Sequence, residues 1–318
     1  MRDFIIRRIL QIIPTLIISS ILIFAVIELA PGDPAAMMLG FEATDEQVEA
    51  MREEMGLNRP VVVRYFDWIW DLLHFDMGIS FVYQKDVGTT ILNAFPKTIQ
   101  LASIALIIAV GIGFVLGIIS AINRNKKLDN IITSLSSISL ALPNFWLGIM
   151  LIWFISVYLG WLPPSGTGEI EGESWILNFE YIALPVASLA VGQIAVFTRY
   201  LRSSMIDVLS TDYIRTARAK GLIERTVLAK HALRNALIPV VTIIGIQFAR
   251  LLAGEVVIES LFAYTGLGRL VVYSILNRDY PVIQGSLIFV VVLFVTVNLL
   301  VDISYGFLDP RIRLTRKG

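Results

Sequence analysis

Apolar residues run in six long blocks, roughly 9 to 30, 99 to 122, 131 to 159, 181 to 201, 237 to 258 and 282 to 306, with charge returning between them. A helix of about 20 residues crosses about 30 Å of hydrocarbon. Six helical spans are therefore predicted. Helices are the form such blocks take, because lipid offers no partner to an unpaired backbone N–H or C=O. The first block is too long for the apolar core of a signal peptide and meets Glu28 and Pro31-Gly32-Asp33-Pro34 without a small-residue cleavage pattern. It reads as an uncleaved span.

Periodicity divides the remainder. Residues 1–30 form a short terminus and the first span, 31–98 an insert, 99–306 a five-span core, and 307–318 a tail. In the insert, Thr44-Asp45-Glu46-Gln47 is a capping box, and Gly56 is placed to stop a helix over 45–55. A second helix starts at Pro60, with Tyr65, Trp68, Ile69 and Leu72 recurring on one face. The insert reads as a small cap outside the bundle. In the second span Ala109, Gly113 and Gly117 recur every four residues, which lets two helix backbones approach closely, within this chain or against another. Pro143, Pro185 and Pro239 lie in or at the ends of spans, where each removes a backbone hydrogen bond and can bend the helix.

Composition agrees with the pattern. Apolar residues make up 56% of the chain and charged residues 16%, and mean hydropathy is +0.74, values far from a soluble globular average. Net charge is zero, yet eighteen of the 26 Lys and Arg fall in the terminus, the second and fourth inter-span stretches and the tail. Basic short loops stay in the cytoplasm, so both termini are expected there. The insert carries eleven acids against five bases, and the 163–180 loop adds four Glu without a base, giving an acidic outer rim.

Several chemistries are excluded. No Lys follows a Gly, so no phosphate-binding loop of the G-x-x-x-x-G-K type exists. Two His and no Cys rule out HExxH, thiolate metal sites and disulfides, and no G-x-S-x-G appears. No nucleic-acid-binding pattern is present. A polytopic enzyme thus lacks a catalytic constellation. An ion-coupled carrier would show midplane carboxylates and inverted repeats, whereas Glu28, Glu255 and Asp302 lie towards span ends and no repeat is visible.

Two features remain. The basic stretch within 203–236 reads as a short helix over about 211–220, a turn at Gly221, and a second helix from about Glu224 into the fifth span. In that span Ile243, Gln247, Arg250 and Gly254 share one helical face, while Thr242, Gly245, Ala249 and Ala253 form a small-residue face. A charge at depth faces a cavity or a partner. Arg250, with Gln247 and Gly254, is thus a candidate lining of a translocation pathway; the alternatives are pairing with a carboxylate such as Glu255 or Glu28, or snorkelling outward.

The TARAKG and HALRNALIPV runs of the basic loop resemble the cytoplasmic loop of permease subunits of ABC importers of the dipeptide/oligopeptide (Opp/Dpp) class. ELAPGDPA, the 57–80 stretch, FAYTGLGRLVVYSI, RDYPVIQG and FLDPRIR follow in that family's order. The resemblance implies an all-α polytopic membrane protein of type I ABC importer-like fold in a bacterial or archaeal cytoplasmic membrane. It also implies no catalytic residue and no cofactor of its own, with ATP and Mg held by partner subunits. The implied partners are a second homologous permease, two ATPase subunits and an extracytoplasmic substrate-binding protein. It assigns ATPase coupling to Tyr213, Ala217, Arg218, Lys220 and Gly221. The loop departs from the general importer pattern at Arg215, Thr216 and His231, which puts in doubt any role of the Glu that Arg215 replaces. The class carries dipeptides, oligopeptides, glutathione, nickel chelates and some oligosaccharides.

Overall fold

A computed structural model of the chain describes residues 2–30, 32–39, 43–168, 178–253 and 255–308, with side chains at all of these except 2–7, 9 and 304–308. The described residues are built from helices: α1 (Arg2–Glu28), α2 (Pro34–Leu39), α3 (Asp45–Glu54), α4 (Val61–Leu73), α5 (Val87–Ile122), α6 (Lys127–Ala141), α7 (Asn144–Leu151), α8 (Phe179–Leu209), α9 (Asp212–Ala219), α10 (Glu224–Thr226), α11 (Arg234–Leu252), α12 (Val256–Leu261), α13 (Leu267–Leu276) and α14 (Tyr280–Leu308). Wider π-helical turns at Ile152–Tyr158 and Val227–Leu233 extend α7 and join α10 to α11.

Among the described residues, five helical stretches are long and apolar enough to cross a membrane unbroken: Leu10–Glu28, Val87–Ile122, Phe179–Leu209, Glu224–Leu252 and Tyr280–Ile303. The third block, 131 to 159, is not the continuous span the apolar pattern predicts. It is a bent pair, Lys127–Ala141 and Asn144–Tyr158, turned through 97°. Leu142, at φ −81° and ψ 127°, has left the helical region, as steric clash with a following proline demands, and Pro143 caps α7. Pro185 and Pro239 sit inside α8 and α11 without breaking either.

The bundle is organised by α5 against α8. Gly113 lies so close that an added Cβ would stand 2.8 Å from the Phe197 Cβ, and one at Gly117 would stand 3.0 Å from the Leu201 Cβ. Ala109 clusters with Ala190 and Phe197. The small-residue spacing of the second span therefore serves packing within the chain. The small face of the fifth span behaves likewise: a Cβ at Gly245 would collide with Val301 of α14, and Ala249 is fully buried.

In the insert, Thr44 and Gln47 form both halves of the capping box, and Gly56 ends the helix at φ +65°. Pro60 is the cap of α4 rather than its first residue. α5 begins at Val87, so residues 87–98 continue the second span as helix, and its 36 residues reach about 54 Å.

Three buried carboxylates clamp the fold. Asp279 accepts hydrogen bonds from the Ser80 hydroxyl and the Phe81 and Val82 N–H groups, tying the insert to the start of α14. Glu259 accepts from Thr98 and from the Gly268 and Arg269 N–H groups, satisfying otherwise unpaired donors of the first turn of α13. Asp129 takes a two-pronged contact from Arg202 at 2.7 Å, joining α6 to α8. A charge this deep persists only when paired and fully hydrogen-bonded, and Ser120 and the Asn125 N–H complete its shell.

Candidate functional site

The basic loop folds into a rigid elbow. α9 runs from Asp212 to Ala219, and Gly221 follows at φ +79°. The Gly221 N–H bonds the Arg218 carbonyl at 2.9 Å and the Leu222 N–H the Ala217 carbonyl at 3.4 Å. This paired closure needs a left-handed residue at Gly221 and satisfies helix-end carbonyls. Arg218 then grips Glu224 across the turn through two hydrogen bonds of 3.1 and 2.6 Å, which raise the guanidinium pKa above its ordinary value. Asn235 donates to the Tyr213 hydroxyl at 2.8 Å, and that hydroxyl donates to the His231 carbonyl at 3.4 Å.

The inner face of the elbow is apolar. Ile214 and Ala217 are buried against Leu201, Met205, Val227, Ala232 and Ala236, and Ser204 donates to the Ala236 carbonyl, tying α8 to α11. Ala217 thus seats the helix on its own bundle and does not face outward. Tyr213, Arg218, Lys220 and Gly221 are exposed, beside the 76%-exposed Ile223. The arrangement is a short helix with an exposed outer face and an inner face seated on α8 and α11.

The fifth-span face leads into the bundle. Gln247 is buried and donates to Gln193 of α8 at 2.7 Å, and Arg250 donates to Gln247 at 3.4 Å with its own side chain exposed. Of the two proposed carboxylate partners of Arg250, Glu28 is instead bound two-pronged by Arg64. Gly254 lies outside the described residues.

Gln193 belongs to a stripe that includes Val196, Tyr200 and Ser203, spaced for one face of α8. The lower part of that stripe lines a cleft of about 620 Å³ between α6 and α8, with Thr133, Ser137 and Arg199 on its walls. Arg202, held by Asp129, forms part of the same wall. Polar groups therefore continue from Arg250 and Gln247 along α8 towards the elbow. Sequence reasoning missed the α8 half of this track and the Asp129 clamp. The signals available were Gln193 and Tyr200 at helical spacing in the fourth apolar block and the hydroxyls at Thr133 and Ser137 in the third.

Comparison with known proteins places this geometry. A model described as the N-terminal part of a binding-protein-dependent transport system membrane component matches residues 1–102. A peptide transport system permease protein of Brucella abortus (strain 2308) is 43% identical over 315 residues, covering 98% of this chain and 99% of that protein. The glutathione transport system permease protein GsiC of Escherichia coli (strain K12) is 41% identical over 313 residues, at the same coverage. Among solved structures, an inward-facing MetNI methionine ABC transporter aligns with a TM-score of 0.58 at 18% identity, over 69% of this chain and 96% of that one. An amino acid ABC transporter aligns at 0.52 and 16% identity, over 69% and 94%. These two likenesses carry the fold. With residues 113–314 matched by the model described as binding-protein-dependent transport system inner membrane component, the chain belongs to that family of transport permeases.

Proposed function

We propose that this chain is one permease subunit of an ATP-driven importer of di- and oligopeptides, supplying half of the translocation pathway. The observation that carries the reading is the elbow: an exposed short helix turned at Gly221, joined to α10 by Arg218–Glu224 and to α11 by Tyr213–Asn235, with Ile214 clustered with Leu201 and Met205 of α8. Such an element transmits force, and a chain without a phosphate-binding loop takes that force from another polypeptide. Tyr213, Arg218, Lys220 and Gly221 dock on an ATPase subunit that holds ATP and Mg, while Ala217 keeps the helix seated. Gln247, Arg250 and the α8 stripe line the path of the cargo.

The assembly contains this chain, a second homologous permease, two ATPase subunits and a binding protein that loads cargo from outside. The chain resides in a bacterial or archaeal cytoplasmic membrane with both termini and the elbow cytoplasmic, the orientation its basic loops favour. Peptide cargo is favoured because peptide and glutathione permeases, both named for amide-linked cargo, resemble the chain along nearly its whole length.

Reconstitution tests this reading. In proteoliposomes holding the four subunits, accumulation of a di- or oligopeptide is expected only with ATP inside and loaded binding protein outside. The purified single chain is expected to hydrolyse no ATP. Uptake driven by an ion gradient without ATP, or robust hydrolysis by the chain alone, overturns it.

A further inference from the structure

We propose that α4 lies in the bilayer leaflet at the C-terminal end of α1, with one apolar stripe on α1 and another on lipid. Three observations carry this.

The first is depth. Tyr65 of α4 hydrogen-bonds Ser20 of α1 at 2.9 Å, and Phe24 packs on the Tyr65 and Trp68 rings at 5.4 and 5.8 Å. Ser20 precedes Glu28, the last residue of the apolar span, by eight residues, about 12 Å along the axis at 1.5 Å per residue. α4 therefore sits beside the half of α1 that hydrocarbon surrounds.

The second is the stripe left uncovered. Val62, Phe66, Trp70 and Leu73 recur at spacings of four, four and three, one face of a helix, and are 64% to 70% exposed. Ile17 and Ile21 of α1, themselves about half exposed, flank the Ser20–Phe24 face on which α4 rests. The surface thus joins a span whose outer side already belongs to lipid.

The third is where the charges go. Arg64, Asp67 and Asp71 occupy a single sector of α4, away from the apolar stripe. Arg64 is engaged by Glu28 and Asp67 by Arg59. A broad apolar arc with a narrow polar edge is the pattern of a helix lying at a membrane boundary, and an exposed Trp suits that level. Burial of the stripe in lipid also removes an apolar patch from water.

The chain has no cysteine, which makes single labels clean. Phe66→Cys and, on the polar edge, Asp71→Cys would each carry a bimane fluorophore in the assembled importer, held in nanodiscs with or without lipid bearing a nitroxide high on the acyl chain. Val62→Cys serves if Phe66→Cys fails to assemble. The label at 66 or 62 is expected to emit to the blue of that at 71, to be quenched by nitroxide lipid, and to be several-fold less sensitive to aqueous iodide. Equal iodide quenching at 66 and 71 would place α4 in water and overturn the proposal. Protection from both quenchers would mean that another protein chain covers the stripe, and would overturn it equally.

Discussion

Arg250 donates to Gln247, while Glu28, one of the carboxylates proposed as its partner, is engaged by Arg64. Its guanidinium is exposed in the single chain, so removing the charge orphans no buried carboxylate. Arg250→Gln is expected to leave the melting temperature of the solubilised complex unchanged. It should slow uptake of peptides with a free carboxylate about tenfold, the equivalent of one charge-assisted hydrogen bond of about 1.5 kcal/mol, and leave a C-terminally amidated analogue nearly untouched. Equal loss for both cargoes with a large fall in melting would assign Arg250 to structure. Asp129, Glu259 and Asp279 behave differently: each is buried and fully engaged, and each joins segments far apart in the chain. No periodicity announces such residues, because the partners through which they join distant segments lie 73, 161 and 197 to 199 positions away.

Among the elements, α9 and its turn make the sharpest case. A Cβ added at Gly221 meets nothing within 4 Å, so any cost of substitution comes from the backbone at φ +79° and not from crowding. Left-handed backbone costs an ordinary residue about 1–2 kcal/mol, more for a β-branched one and less for Asn. Gly221→Val should therefore cut peptide-stimulated ATP hydrolysis and transport several-fold with the spans still inserted, and Gly221→Asn should retain most of both. Equal activity of the two variants would separate coupling from this turn. The elbow was legible in the sequence because its signals are local: a basic helix, one glycine, and a restart at Glu224. The 97° bend at Leu142–Pro143 was legible only in part. Proline removes one hydrogen bond whatever the outcome, and Pro143 breaks its segment while Pro185 and Pro239 continue theirs, so surrounding packing decides. The two π-helical turns left no mark in the residue pattern.

At the scale of the whole molecule, apolar blocks set the number of crossings, and small residues set which helices touch. Gly113 and Gly117 bring α5 onto α8, and Gly245 brings α11 onto α14. The insert is then fixed by Asp279 and by the Arg64–Glu28 pair, and the elbow by the cluster around Ile214. What results is a bundle with a polar track along α8 and, at its basic end, the elbow of α9 with its exposed outer face. The account stands on that face being where an ATPase subunit docks. Lys220→Cys, introduced into the cysteine-free chain and labelled with benzophenone, tests it in the assembled importer, with Lys85→Cys on the exposed insert as control. Photolysis is expected to yield a covalent adduct of this chain with an ATPase subunit from position 220 and none from position 85. Absence of that adduct from 220, or the same yield from both positions, would contradict the account.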